Sequence, residues 1–205
     1  MPYFDKLNIL FIHIPKTGGS NIENFFIIYS KESPQIKHLL SYNKNLLFNK
    51  HSLQHTTLIE YIEHYQFFNI DFNHQLKIIT VIRNPYDRIM SDLFFLKLVN
   101  HSFSKEEIER VIDSYLKNES TFDNHKIPQY KFLINHKNVI KKNIIILKNE
   151  NLNNEMEKIG FPEFKFFCDH VKNKSYMKYL TKKSILNINN YYKKDFEYFN
   201  YTMIV

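Results

Sequence analysis

Two of the three glycines in this 205-residue chain are adjacent. They lie in the stretch Phe11 to Phe26, FIHIPKTGGSNIENFF, between an apolar run and a helical pattern. Leu7 to His13 reads as a strand, Pro15 ends its ladder, and Gly18 and Gly19 let the backbone turn tightly with no Cβ in the way. A helix then opens at about Gly19 and runs to Tyr29, with its first amides unsatisfied. Lys16, Thr17 and Ser20 add one charge and two hydroxyls to the same turn, so the segment reads as a wrap for a phosphate at a helix N-terminus. A tight turn carrying a solvated lysine is the plainer alternative. In a chain so poor in glycine, the Gly-Gly pair favours the anion site.

The order of residues narrows the chemistry. In a nucleotide-hydrolysing phosphate loop the lysine follows the last glycine, and the Ser or Thr after it holds magnesium. Here Lys16 precedes both glycines. The second long apolar run, Lys77 to Ile82, is β-branched almost throughout, as expected of a strand buried on both faces. It ends in Arg83, where a metal-dependent enzyme would keep an Asp near its magnesium. Fixed positive charge with no metal suits transfer of a less charged group.

The rest of the pattern alternates strands with helices. Asn84-Pro85 supplies an N-cap and a proline at the first helical position, with a helix to about Val99. Thr57 to Glu60 and Ser104 to Glu107 each fit a capping box. A last strand is expected at Asn143 to Leu147, with helices near Asn153 to Ile159 and Ile188 to Tyr198. Strands separated by helices predict an α/β fold with a mainly parallel sheet. Composition is uniform and no repeat is visible, so residues 1–205 read as one domain. Lys and Arg number 28 against 21 Asp and Glu, a formal +7 that favours anionic partners. The single Cys168 excludes an internal disulfide framework. No run approaches the roughly 18 apolar residues of a membrane span, and the N-terminus lacks the pattern of a signal peptide. A soluble, cytoplasmic or otherwise untargeted protein is expected, of unknown oligomeric state.

The chain resembles the sulfotransferases of the heparan sulfate 2-O-sulfotransferase and related carbohydrate type (sulfotransferase family 2). HIPKTGGS is similar to that family's 5′-phosphosulfate loop. VIRNPYDRIMSDLFF is similar to its 3′-phosphate element, in which an Arg closing a strand and a Ser eight positions on clasp the 3′-phosphate of the donor 3′-phosphoadenosine 5′-phosphosulfate (PAPS). SLQHTTLIEY resembles a histidine-bearing loop before a helix, HKIPQYKFLI a Pro-Gln segment, ILKNENL a strand leading to Glu-Asn-Leu, and YYKKDFEYFNY a terminal helix. The resemblance runs from Ile9 to Tyr201. It implies a three-layer fold like that of the P-loop NTPases and a PAPS-dependent transfer of a sulfonyl group to a hydroxylated acceptor, a glycan or small molecule, without metal.

The implied roles have physical grounds. Lys16 can place its ammonium over the bridging oxygen, where negative charge grows as the S–O bond breaks. The amides and hydroxyls of Thr17, Gly18, Gly19 and Ser20 would hold the 5′-phosphate. Arg83 and Ser91 would hold the 3′-phosphate, with Asp87 and Arg88 sharing the helix face of Ser91. A base is needed for the acceptor proton, and a histidine is suited to it near neutral pH. His55, two residues before the N-cap Thr57, is the expected base; His51 and His125 are the alternatives, with Glu60 behind them. His13, on an apolar strand, reads as a packed core histidine. His51 and His55 fall outside a helix and Cys168 has no partner cysteine, so no zinc site is expected. A kinase would share the strand, loop and helix but needs magnesium ligands that are not identifiable here. A basic nucleic-acid-binding module fits the charge, yet no such motif appears and the aromatics fall on apolar faces. The segments Ser30 to Lys50 and Asn118 to Asn135 are expected to shape the acceptor pocket.

Overall fold

A computed structural model describes residues 3–31, 51–68, 70, 72–73, 75–140, 142–165 and 176–205. Cys168 and most of the Ser30 to Lys50 stretch lie outside them. Four strands form one sheet in the order β1 (Tyr3–Phe4), β2 (Ile9–Ile12), β3 (Lys77–Ile82) and β4 (Ile144–Lys148). β1 runs antiparallel to β2, while β2, β3 and β4 are parallel, with Ile12 beside Thr80 and Ile82 beside Lys148. Among the described residues there are eight helices: α1 (Gly19–Ser30), α2 (Leu58–Glu63), α3 (Tyr65–Phe68), α4 (Pro85–Phe95), α5 (Lys105–Lys117), α6 (Leu152–Lys158), α7 (Lys182–Tyr191) and α8 (Lys193–Phe199).

Alternation along the strands divides the core in two. Leu10, Ile12, Ile78 and Ile82 face one side, against Leu58, Tyr61, Phe132 and Phe199. Ile9, Phe11, Ile79 and Val81 face the other, against Ile22 and Phe26 of α1 and Leu152 and Met156 of α6. Both faces of the sheet are therefore covered, which explains why its strands read as continuous apolar runs. A third cluster packs α4, α5, α7 and α8 together through Ile89, Leu93, Ile112, Ile188 and Phe196.

Both expected capping boxes form, Thr57 with Glu60 and Ser104 with Glu107. Asn84 caps α4, with Pro85 at its first position. The departures have local causes. Strand β2 starts after Leu7 because Asp5–Leu7 make a 3₁₀ turn that closes on Asn8 at φ 49°. Helix α4 ends at Phe95, short of Val99, because Lys97 turns left-handed at φ 58° and the Leu98 N–H returns to the Leu93 carbonyl, a Schellman-type stop. The expected terminal helix is two helices. Thr181 caps an earlier start, accepting the Ser184 N–H, and the chain breaks at Tyr192 before α8. No helix among the described residues is long and apolar enough to cross a membrane.

Candidate active site

The parallel strands β2, β3 and β4 all deliver their carboxyl ends to one edge, the usual place for a ligand crevice in open α/β sheets. The loop after β2 is locked from behind. Arg88 Nε donates to the Pro15 carbonyl at 3.0 Å, Arg83 Nη1 to that of Lys16 at 3.2 Å, and Asn149 Nδ2 to that of Thr17 at 2.8 Å. In a trans peptide the C=O and N–H point opposite ways. Drawing three successive carbonyls onto the scaffold thus turns the amides of Lys16, Thr17 and Gly18 the other way, the arrangement of an anion cradle. Lys16 at φ 65° and Gly18 at φ 93° supply the left-handed turns. Gly19 is required for a different reason: a Cβ there would lie 2.7 Å from Cδ2 and Nε2 of His13. The Thr17 hydroxyl faces inward, donating to the Ile14 carbonyl at 2.8 Å, so it fastens the loop. Ser20 is exposed at the mouth.

Arg83 extends from the end of β3. The side-chain amide of Gln129 clamps its peptide from both sides, accepting from Arg83 N and donating to Arg83 O, each at 2.9 Å. Gln129 is held in turn by Asp195 of α8, whose carboxylate accepts from the N–H of Gln129 at 2.8 Å and of Tyr130 at 2.9 Å. The guanidinium of Arg83 lies 5.9 Å from the ring centroid of Tyr176. Ser91 lines the same cavity as Arg83. Arg88 does not. It is 2% exposed and spends its donors on the carbonyls of Pro15, Ile127 at 3.0 Å and His125 at 2.6 Å, joining two loops to α4.

The histidines separate cleanly. His51 has both ring nitrogens engaged, Nε2 with Glu60 Oε1 and Nδ1 with the Ser52 carbonyl, each at 2.8 Å. Burial opposes its charge, but the Glu60 carboxylate outweighs burial and raises its pKa. His55 lines the cavity, and its Nδ1 lies 2.9 Å from both Oδ2 and the carbonyl of Asp123. Nδ1 therefore carries the proton, and Nε2 is the lone-pair nitrogen, with no protein hydrogen bond among the described residues. Burial lowers the His55 pKa; Asp123 pulls the other way, and His13 and His125 add to the lowering. Burial works against the Asp123 charge too, but hydrogen bonds from His55 and Ser52 hold its carboxyl at about 2. The pair is thus a neutral imidazole on a carboxylate. Asp123 reaches this place through three consecutive left-handed residues, Phe122, Asp123 and Asn124, at φ 50°, 57° and 62°.

His13 and His125 flank His55, their ring centroids 5.5 and 4.9 Å from it, both edge to face. His13 Nδ1 bonds Glu23 Oε1 at 2.7 Å, and His125 Nδ1 bonds Asp92 Oδ1 at 2.5 Å. The Asp92 carboxylate also accepts from Tyr115 OH at 2.5 Å. Phe95 stacks on His125 at an interplanar angle of 12°, and its ring centroid lies 3.8 Å from Lys16 Nζ. Burial lowers the Lys16 pKa; Asp92 opposes this and Arg83 reinforces it. Lys16, Arg83, Ser91, His55 and the Gly18-Gly19 turn line one cavity of about 510 Å³.

Asp123, Gln129 and Asn149 belong to this site, and residue patterning gave them no role. Their partners lie 68, 46 and 132 residues away in sequence, beyond the reach of any periodicity. The Asn118 to Asn135 segment, expected to shape the acceptor pocket, contains Asp123 and Gln129, and the family-like Pro-Gln and ILKNENL segments contain Gln129 and Asn149.

The model of the sulfotransferase family (family 2) matches residues 2–202, nearly the whole chain. The chain belongs to the sulfotransferase family, and it is a sulfotransferase-type transferase with an α/β fold and a mainly parallel sheet. No curated protein and no solved structure gives a significant match.

Proposed function

We propose that the protein transfers a sulfonyl group from PAPS to a hydroxyl of a glycan or other small acceptor, on a fold of the P-loop-NTPase type and without metal. The observation that carries this reading is the convergence of Lys16, Arg83, Ser91 and the lone-pair side of His55 on one cavity at the carboxyl edge of the sheet. The amides of the Lys16 to Ser20 turn hold the 5′-phosphate, and Arg83 and Ser91 hold the 3′-phosphate. Lys16, kept over Phe95 by cation–π attraction before the donor arrives, moves to the bridging oxygen and stabilises the charge that develops there. His55 Nε2 takes the acceptor proton. Asp123 holds the ring in that tautomer and stabilises the imidazolium as it forms.

Titration with 3′,5′-adenosine bisphosphate in the presence of a chelator tests the reading. A site that binds it in the native state raises the melting temperature with ligand concentration. An unchanged melting temperature at millimolar ligand overturns it, and binding of ATP with magnesium in preference to the bisphosphate favours a kinase instead.

A further inference from the structure

His55 and His125 share an arrangement that a general base alone does not need. Each ring has its Nδ1 tied to a carboxylate that is itself anchored: Asp123 accepts from the backbone N–H and hydroxyl of Ser52, and the buried Asp92 accepts from Tyr115. Each Nε2 has no protein hydrogen bond among the described residues, and both rings line the cavity. One ligating atom from each of His55, Asp123 and His125 lies within 4.8 Å of the others. A carboxylate behind a histidine fixes its tautomer and raises its basicity as a ligand, the usual support for an imidazole that binds a metal; Asp92 gives His125 that support, while Asp123 faces His55 Nδ1 as a ligand in its own right.

We infer that His55, His125 and Asp123 form a binding site for a borderline transition-metal dication of the zinc class, and that its occupancy switches the base off. Two imidazoles and a carboxylate suit zinc, with the fourth position left to water. Tetrahedral zinc holds its ligand atoms roughly 3.3 Å apart, so the cluster contracts by about 1.5 Å at most as the ion takes the place of the His55–Asp123 hydrogen bond. An ion on His55 Nδ1 leaves the ring proton on Nε2, which can then no longer accept the proton of the acceptor. The inhibitory half of this inference rests on the proposed sulfonyl transfer; the binding half does not.

Calorimetric titration of the protein alone with zinc chloride separates the two. One ion is expected to bind per chain at micromolar concentration. His125→Ala and Asp123→Asn should each weaken binding at least tenfold, and His51→Ala, outside the cluster, should not. Cobalt(II) should give a visible spectrum of tetrahedral type that His125→Gln removes, with circular dichroism confirming that the variant is folded. No binding at millimolar zinc, or equal binding by wild type, His125→Ala and Asp123→Asn, overturns the site. Zinc bound at the cluster with undiminished turnover overturns the switch. Failure of the adenosine bisphosphate titration would instead remove the transferase reading and leave the ion site standing.

Discussion

Asp123 Oδ2 lies 2.9 Å from Nδ1 of His55, across 68 residues of sequence. Together with the Asp123 carbonyl, at the same distance from Nδ1, it decides which nitrogen of the imidazole can act as a base. It also makes the general-base assignment sharp enough to test.

Asp123→Asn keeps the shape but can present an N–H to Nδ1, favouring the wrong tautomer. Turnover is expected to fall by roughly a hundredfold or more, as for loss of a positioned base. His55→Ala should lose at least as much, and affinity for 3′,5′-adenosine bisphosphate should stay within about twofold in both, by calorimetry. Full turnover in both variants would move the role to His125.

Because the His55 pKa is lowered by burial, the ring stays neutral to lower pH than a free histidine. The acid limb of turnover should therefore lie below about 6.5. For stability the Asp123 sign runs the same way. Its folded pKa of about 2 is below the ordinary 3.8, so its contribution is present above pH 3.8 and is lost as pH falls through about 2. Denaturant melts of wild type and Asp123→Asn should converge between those values. A constant gap would show that Asp123 stabilises by shape alone.

Grip and chemistry should divide between the two cations of the cavity. Arg83→Ala is expected to weaken bisphosphate binding by at least tenfold. Lys16→Ala should lower turnover more than it lowers donor binding, since charge on the bridging oxygen develops in the transition state. If both parameters fall equally for Lys16→Ala, the lysine is a plain phosphate contact.

The adjacent glycines should fail differently. Gly18→Ala places a Cβ at φ 93°, a cost of about 1–2 kcal/mol seen as a lower melting temperature. Gly19→Ala has no such φ, yet its Cβ meets the His13 ring, which is buried and pinned to Glu23 and cannot step aside. Its expected signature is a bisphosphate affinity reduced at least tenfold, from a displaced loop. Equal behaviour of the two variants by melting and calorimetry would contradict the distinct roles.

Arg88→Ala strands three carbonyls that now accept from a charged donor, a loss of about 3 kcal/mol or more. A melting temperature lower by at least about 6 °C is expected. A drop below about 2 °C would mean that water replaces the guanidinium without loss.

Local chemistry was the legible part of the sequence. Thr57, Ser104 and Asn84 cap helices where their side chains predict, and Lys77 to Ile82 forms the buried strand residue for residue. The Gly18-Gly19 turn and Arg83, singled out by their motifs, line one cavity. Arg88 is not: helical spacing puts it on the face of Ser91, but spacing says nothing of the length of a guanidinium, which reaches past the cavity to three backbone carbonyls. The break at Tyr192 is equally hidden, since the apolar pattern continues through it. Asp123 is hidden most deeply, because a left-handed turn in a loop has no periodic signature.

The clamp of Gln129 on Arg83 has a consequence for the far end of the chain. Asp195 anchors Gln129, so the strand-end arginine is fastened, at one remove, to the last helix. A chain cut between residues 177 and 194 keeps the whole Gly-Gly loop and every cavity-lining side chain, yet loses the brace that sets the Arg83 backbone. Proteolytic trimming of the C-terminus should therefore blunt recognition of the 3′-phosphate well before it unfolds the sheet.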